Sequence, residues 1–299
     1  MSTLIANLIS LSAVAVLVAI SLLGGVQSHL IAGQSSLLVL ALLALFLQWL
    51  VFVPAWLGRT EKFYDFVGSL TFILVVLLGL GVAAQSGQIV AYDFVLAGVV
   101  CLWAVRLGSF LFKRVHQAGG DKRFDEIKVS FPRFFMAWTA QALWVVATLL
   151  PSLILLTSKR PHRADYWMVI GLGMWVFGFV IEMIADRQKS NFRARNPSGD
   201  RWIEEGLWAL SQHPNYFGEI VLWTGIFVAG IGHYQGAEWI AVVSPVFVFG
   251  LLTKGSGIPL LQERGEARWG DRTGYRSYRE KTNLLVPLPR SSLFRRPGV

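Results

Sequence analysis

The sequence predicts an all-α, polytopic membrane helix bundle of about 7–8 transmembrane helices, and three observations carry that expectation. Of its 299 residues, 54% are hydrophobic and only 15% are charged, where a soluble domain carries about 25% charge. The apolar residues fall in runs near the ~20 residues that a membrane helix needs. The net charge of +9 sits in the gaps between those runs, as membrane topology arranges it. This placement argues against a nucleic-acid partner. It fits a protein that meets the bilayer and an anionic small molecule.

Taken in order, the expected spans are 4–23, 36–57, 66–84, 89–111, 134–157 and 165–185, then two shorter ones at 215–232 and 239–253. The first lacks a basic lead and a cleavage site in small residues, so it reads as a retained helix rather than a signal peptide. Cys101 is the single cysteine and lies inside an apolar run, so there is no disulfide framework. Eight spans put both termini on one side. The positive-inside rule makes that side the cytoplasm, with Arg59/Lys62, Lys113–Arg133, Arg187–Arg201 and the tail after Lys254 facing it. Lys159-Arg-Pro-His-Arg163 breaks the rule. The last span is interrupted by Pro245 and Gly250. No repeat, low-complexity tract or linker divides the chain, which reads as a single membrane domain.

Residues 186–219 hold the densest polar chemistry, and polar groups beside an apolar bundle are where function concentrates. Glu182, Asp186, Lys189 and Arg193 are spaced 4, 3 and 4 apart, on one helix face. That face is acidic at its membrane end and basic beyond. A carboxylate suits ribose or amide donors, and Lys and Arg suit phosphates. A solvated helix end with a weak Asp186–Lys189 pair is the plain alternative. His213-Pro-Asn-Tyr-Phe-Gly-Glu219 reads as a helix start, with proline at its first position and backbone donors exposed to an anion. Glu219 lies one turn past Asn215. Trp202 and Trp208 flank a short interfacial helix. Arg106 lies two turns inside the fourth span, and Arg114 lies at its end.

Thr60-Glu-Lys-Phe-Tyr-Asp65 puts acids and a tyrosine at the mouth of the third span, where Thr60 is a candidate N-cap. Burial and Asp65 would raise the Glu61 pKa, while Lys62 and the helix's positive end would lower it. The sequence leaves that balance open. It contains neither a Gly-x-Gly-x-x-Gly turn after a strand nor a Gly-x-x-x-x-Gly-Lys-Ser/Thr loop, and metal-ligand spacing is absent. A dinucleotide would have to be held by side chains of the polar island, which brings Lys189, Asn191, His213 and Tyr216 into the candidate set.

The series Asp186…Arg193…Arg201…Gly206-Leu-Trp208…Ser211…His213-Pro-Asn-Tyr-Phe-Gly-Glu219 resembles the bacterial DUF1295 membrane family over almost the whole chain. From Glu182 onward it is similar to the C-terminal domain of steroid 5α-reductases. That resemblance implies NADPH as cofactor, with contacts from Asp186, Arg193, Arg201, Asn215, Glu219 and Tyr278. Arg106 and Arg114 match two further reductase arginines. It also implies that the helices of 1–157 form a substrate cavity and that 165–299 bind the cofactor. Glu61 matches the glutamate that grips a substrate carbonyl, with Tyr64 as the second candidate acid. Two positions depart from the pattern: Trp103 stands where the reductases have tyrosine, and Glu182 where they tend to have asparagine. The expected activity, in lipid metabolism, is hydride transfer to an activated C=C bond of a lipophilic, steroid- or isoprenoid-like substrate. The implied setting is a bacterial inner membrane, and a monomer suffices.

His213-Pro-x-Tyr-x-Gly is also similar to membrane methyltransferases of the isoprenylcysteine and phospholipid type, which use S-adenosylmethionine. The arginines between 187 and 201 fit the extra phosphates of NADPH better than a zwitterion.

Overall fold

The computed structural model describes residues 2–87, 89–117 and 119–289; the side chains of Gln117 and Lys122 and the tail from residue 290 fall outside that description. Among the described residues there are ten α-helices and two short strands, β1 (Leu30–Ile31) and β2 (Gln34–Ser35). Seven helical runs among the described residues are long and apolar enough to cross a membrane, so this is an integral membrane protein. The expected span at 215–232 is a 16-residue helix, shorter than the other spans.

The chain folds as two compact units, residues 1–168 with 230–244, and residues 169–229 with 245–299. The first contains α1 (Thr3–Gly24), α2 (Ser36–Leu57), α3 (Tyr64–Gln85), α4 (Ala91–Gln117) and α5 (Phe131–Thr157). Ser2 caps α1 through Ile5 N–H, and Ser35 caps α2 through Leu38 N–H, each supplying an acceptor to an otherwise orphaned first-turn donor. Ala32 and Gly33, both at positive φ, make the two-residue turn between β1 and β2. The apolar residues of α5 pack against α1, α2 and α3, and α3 also pairs with α4. Leu8, Leu11, Phe46, Leu50, Leu77 and Leu78 stay exposed, which water would penalise and lipid does not.

Polar side chains bridge these helices inside the apolar layer. Gln48 donates to Thr71 Oγ1 at 2.9 Å, Trp49 to Thr139 Oγ1 at 3.1 Å, and Gln141 to the Tyr64 carbonyl at 3.1 Å. Such bonds average only about 0.6 kcal/mol in a membrane, so they fix register more than they add stability. Two expectations are corrected here. Thr60 does not cap α3: the capping position is Phe63, which lacks a side-chain hydrogen bond, and Thr60 Oγ1 instead accepts from Lys62 N–H. The segment around Trp208 is a single 3₁₀ turn, Gly206–Ala209.

The second unit contains most of α6 (Tyr166–Arg195), with α7 (Pro214–Ala229), most of α8 (Val243–Thr253), α9 (Ile258–Trp269) and α10 (Thr273–Lys281). Proline begins α7, where its missing N–H costs nothing. Glycines set the distance between α6 and α7. A Cβ on Gly178 would lie 2.5 Å from the Gly218 carbonyl oxygen, and one on Gly171 would lie 2.4 Å from that of Gly225. Backbones this close admit no side chain. Gly218→Val should therefore lower stability by about 1–3 kcal/mol through overpacking. Thermal unfolding in detergent measures it, and an unchanged midpoint would contradict this packing.

Candidate functional site

The residues expected to carry function gather in two places, one in each unit. In the first unit, the chain leaves α2 through Arg59, held at φ 45°, and reaches Glu61, which is 4% exposed. One Glu61 oxygen accepts the Asp121 N–H at 3.0 Å and the other accepts Lys128 Nζ at 2.8 Å. Burial pushes its pKa up, but the hydrogen bonds from Lys128 and Asp121 outweigh burial and hold it below the ordinary carboxylate value. The balance that the sequence left open thus falls to the ionised form. Its cation is Lys128 rather than the adjacent Lys62. Lys128 itself is raised, first by its bond to Glu61.

Glu61 and Lys128 line a cavity of about 400 Å³ with Arg59, Thr60, Lys62 and Asp125, closed on one side by Gly119 and Gly120. Gly120 has φ +157°, and a Cβ there would come within 2.9 Å of Glu61 Oε1. Glycine is what lets the loop carry its backbone onto that carboxylate. Tyr64, the other expected acid, donates its hydroxyl to the Ala137 carbonyl at 2.9 Å. Its ring packs between Phe124 and Trp138.

Arg114 belongs to an ionic cluster below this cavity. It lies 3.7 Å from Asp65 and 3.9 Å from Asp121, while Arg123 approaches Asp65 at 3.6 Å and bonds Asp121 at 2.7 Å. Burial alone would raise the Asp121 pKa, and Arg123 more than reverses it. Arg106 is half-buried on α4 in the same unit.

The remaining expected residues all lie in the second unit. Glu182 and Asp186 are 2% and 7% exposed on α6, and Asn215 donates to Asp186 Oδ1 at 3.3 Å from the first turn of α7. The close glycine contact brings these two helices together there. Tyr216 stacks on His213 at 5.6 Å, and Glu219 is half-buried one turn further along α7. Burial, with Lys189 and Arg279 adding to it, pushes His213 down to about 3, so its imidazole is neutral at physiological pH. Its Nδ1 is buried and has no hydrogen-bond partner among the described residues. Lys189 places Nζ 4.6 Å from the Trp208 ring centre.

Beyond the membrane end of the face, Asn191, Arg193 and Arg201 are exposed. Arg195, also exposed, pairs with Glu205. The loop carrying Arg201 is clamped from α9 and the start of α10. Arg268 donates to the Ser198 carbonyl at 2.9 Å, Trp269 to that of Gly199 at 3.3 Å, and Arg272 to that of Asp200. Trp202 completes the clamp by packing on Trp269 and Tyr275. Tyr278 donates to the Trp208 carbonyl at 2.8 Å, and burial raises its phenol. Trp208 in turn donates to the Ala185 carbonyl at 3.0 Å.

Sequence reasoning did not find Lys128, Gln188 or Gln212. Gln188 accepts the Leu207 N–H at 3.0 Å beneath Gly206, where a Cβ would strike its amide at 2.4 Å. Gln212 donates to the carbonyls of Arg279 and Thr282. Gly206 was the available signal, since its φ of 61° is one that glycine adopts freely.

The fold defines an integral membrane protein with polar, partly buried clusters at its helix ends. The chain belongs to the DUF1295 family, described as a protein of unknown function, whose model matches residues 51–282. It is 23% identical over 180 residues to the Uncharacterized protein C594.04c of Schizosaccharomyces pombe, covering 51% of each chain. It is 33% identical over 81 residues to 3-oxo-5-alpha-steroid 4-dehydrogenase 1 of Homo sapiens, covering 25% of this chain and 31% of that protein. The match to the Macaca fascicularis protein of the same name is also 33%, over 25% and 30%. The chain thus spans about half the length of the first relative and under a third of the other two. No solved structure matches it.

Proposed function

We propose that the chain is an NADPH-dependent membrane reductase that passes hydride to an activated C=C bond of a lipophilic, steroid- or isoprenoid-like substrate. The observation that carries this reading is the α6–α7 face. It has buried Glu182 and Asp186, Asn215 bonded across, a neutral His213 with an unsatisfied nitrogen, and exposed arginines beyond. The partial match to a steroid dehydrogenase supports it.

These residues fit a phosphorylated dinucleotide. Arg193 and Arg201 offer flat, permanently charged forks for phosphate oxygens. Asp186 accepts from a hydroxyl or amide donor, and a bound ligand would satisfy His213 Nδ1. NADPH, when bound, supplies the hydride. The chain must then stabilise charge building on a substrate carbonyl, which takes a donor within about 3 Å. In the first unit that donor is Lys128 Nζ, positioned by the Glu61 carboxylate. Among the described residues no large apolar side chain lines their cavity, so it takes the polar end of a substrate and leaves the lipophilic body to the bilayer-facing helices. The same reading puts both termini in the cytoplasm of a bacterial cell, with the chain in the inner membrane.

Heat protection of the purified protein tests the cofactor. NADPH at 100 times its dissociation constant should add about 2.7 kcal/mol of stability, and NADH much less. Stabilisation by S-adenosylmethionine in place of NADPH would replace the reductase with a methyltransferase.

A further inference from the structure

The first unit holds a second polar centre, built from the basic segment that broke the positive-inside pattern. That segment is tied to the β1–β2 end of the unit. His29 N–H donates to the Thr157 carbonyl and Lys159 N–H to that of Gln27, each at 2.8 Å. Arg160 is paired with Glu238, itself 2% exposed. His162 meets Asp93 at 2.7 Å, with Asp93 fully buried at the first turn of α4. The second oxygen of Asp93 accepts the Val90 N–H at 2.9 Å. His233 stands against the rings of Tyr92 and His162.

Arg160, His162, His233 and Glu238 line a cavity of about 160 Å³, and its hydrogen bonding does not balance. The Arg163 backbone N–H donates to His233 Nε2 at 3.3 Å. Because an N–H only donates, that nitrogen is the acceptor and the ring hydrogen sits on Nδ1. Burial lowers the His233 pKa, which keeps this neutral tautomer. Its Nδ1 and Arg160 Nε are both buried donors with no partner among the described residues. Of the acceptors near them, Glu238 Oε2 also accepts the Gln235 N–H at 2.9 Å and Ser158 Oγ accepts the Arg160 N–H at 3.1 Å, while the Asp165 carboxylate acts on His233 through its charge. Buried donors without acceptors are destabilising, and the cavity that Arg160 and His233 line is large enough for a small polar group.

We propose that this cavity is a binding site for an oxyanion of the phosphate class, either free phosphate or the phosphodiester of a lipid headgroup, held by Arg160 Nε and His233 Nδ1. A phosphate oxygen accepts without donating, which is what this pair lacks. The guanidinium's charge shortens and strengthens its bond to such an oxygen.

The test is thermal unfolding of the whole chain in maltoside micelles, which contain no phosphate. One arm adds inorganic phosphate, a second adds phosphatidylglycerol, and chloride at equal ionic strength is the control. His233→Phe keeps the ring against Tyr92 and removes one donor. Arg160→Lys keeps the charge facing Glu238 and removes the other, so it serves even where the first variant folds poorly. A ligand should raise the wild-type Tm by about 2–4 °C and leave both variants unmoved. A shift with inorganic phosphate identifies the free ion, and one with phosphatidylglycerol alone identifies the headgroup. No shift in either arm, or equal shifts in wild type and variants, overturns the proposal and leaves the cavity to water.

Discussion

Glu61→Gln is expected to slow single-turnover oxidation of bound NADPH, followed at 340 nm with lipophilic enones, by about 10²–10⁴-fold. Glutamine keeps the acceptor for the Asp121 N–H but turns an amide donor or a neutral oxygen towards Lys128, so the ammonium loses the carboxylate that positions it. NADPH affinity should be nearly unchanged, because the nucleotide is assigned to residues of the second unit. Lys128→Met should slow the reaction by a similar factor, and the double variant by little more than either single one, as members of one unit do. Wild-type rates in both single variants would move the donor elsewhere. The same pair fixes a stability profile. The folded Glu61 pKa is depressed, so its contribution is present above the unfolded value of about 4.3 and is lost as pH falls through the folded one. The folded Lys128 pKa is raised, so its contribution holds below about 10.4 and is lost as pH climbs through its folded value. A pH series of unfolding midpoints should therefore show this pair's contribution constant between those limits. A loss near pH 7 would contradict the ionised pair.

Arg193→Ala and Arg201→Ala should each weaken NADPH binding by about 1.5–3 kcal/mol, roughly 10–150-fold, the range for hydrogen bonds to charged groups. Arg195→Ala is the control. It removes an exposed pair with Glu205 and a long bond to the Asn191 carbonyl at 3.4 Å, and such exposed pairs are worth about 0–1 kcal/mol. Titration at fixed salt separates the cases. Equal losses at 193, 195 and 201 would mean that bulk positive charge, rather than particular guanidinium groups, attracts the nucleotide.

Local physics made much of this legible in the sequence. The spacing of Glu182, Asp186, Lys189 and Arg193 placed them on one face, and α6 runs unbroken through all four. Pro214 marked the first residue of α7 because proline is favoured at that position, where its missing N–H is no loss. What stayed hidden depends on chain closure. Lys128 is 67 residues from Glu61, and Lys62, its sequence neighbour, was the cation in view. The basic run 159–163 contradicted topology when counted as free charge, yet Arg160 is neutralised by a glutamate 78 residues away. Thr60 carried the right side chain for a cap, but the chain runs through three more residues before α3 starts at Tyr64.

Gly171, Gly178 and the buried Ala185 recur every seven residues along α6, and Gly218 and Gly225 face the first two from α7 at the same interval. A heptad step on both helices is a ruler that reads 3.5 residues per turn, and its final graduation, Ala185, stands beside Asp186. The ruler re-registers only after a whole heptad, about 10.5 Å along the axis, a distance that would carry Asn215 out of reach of its carboxylate. The positions that align the polar end of this pair are thus set by residues with almost no side chain at all, with Gly178 and Gly171 about two and four turns back along α6 from Asp186. Enlarging one of them should act as a misregistration of the nucleotide site while leaving every charged residue in place.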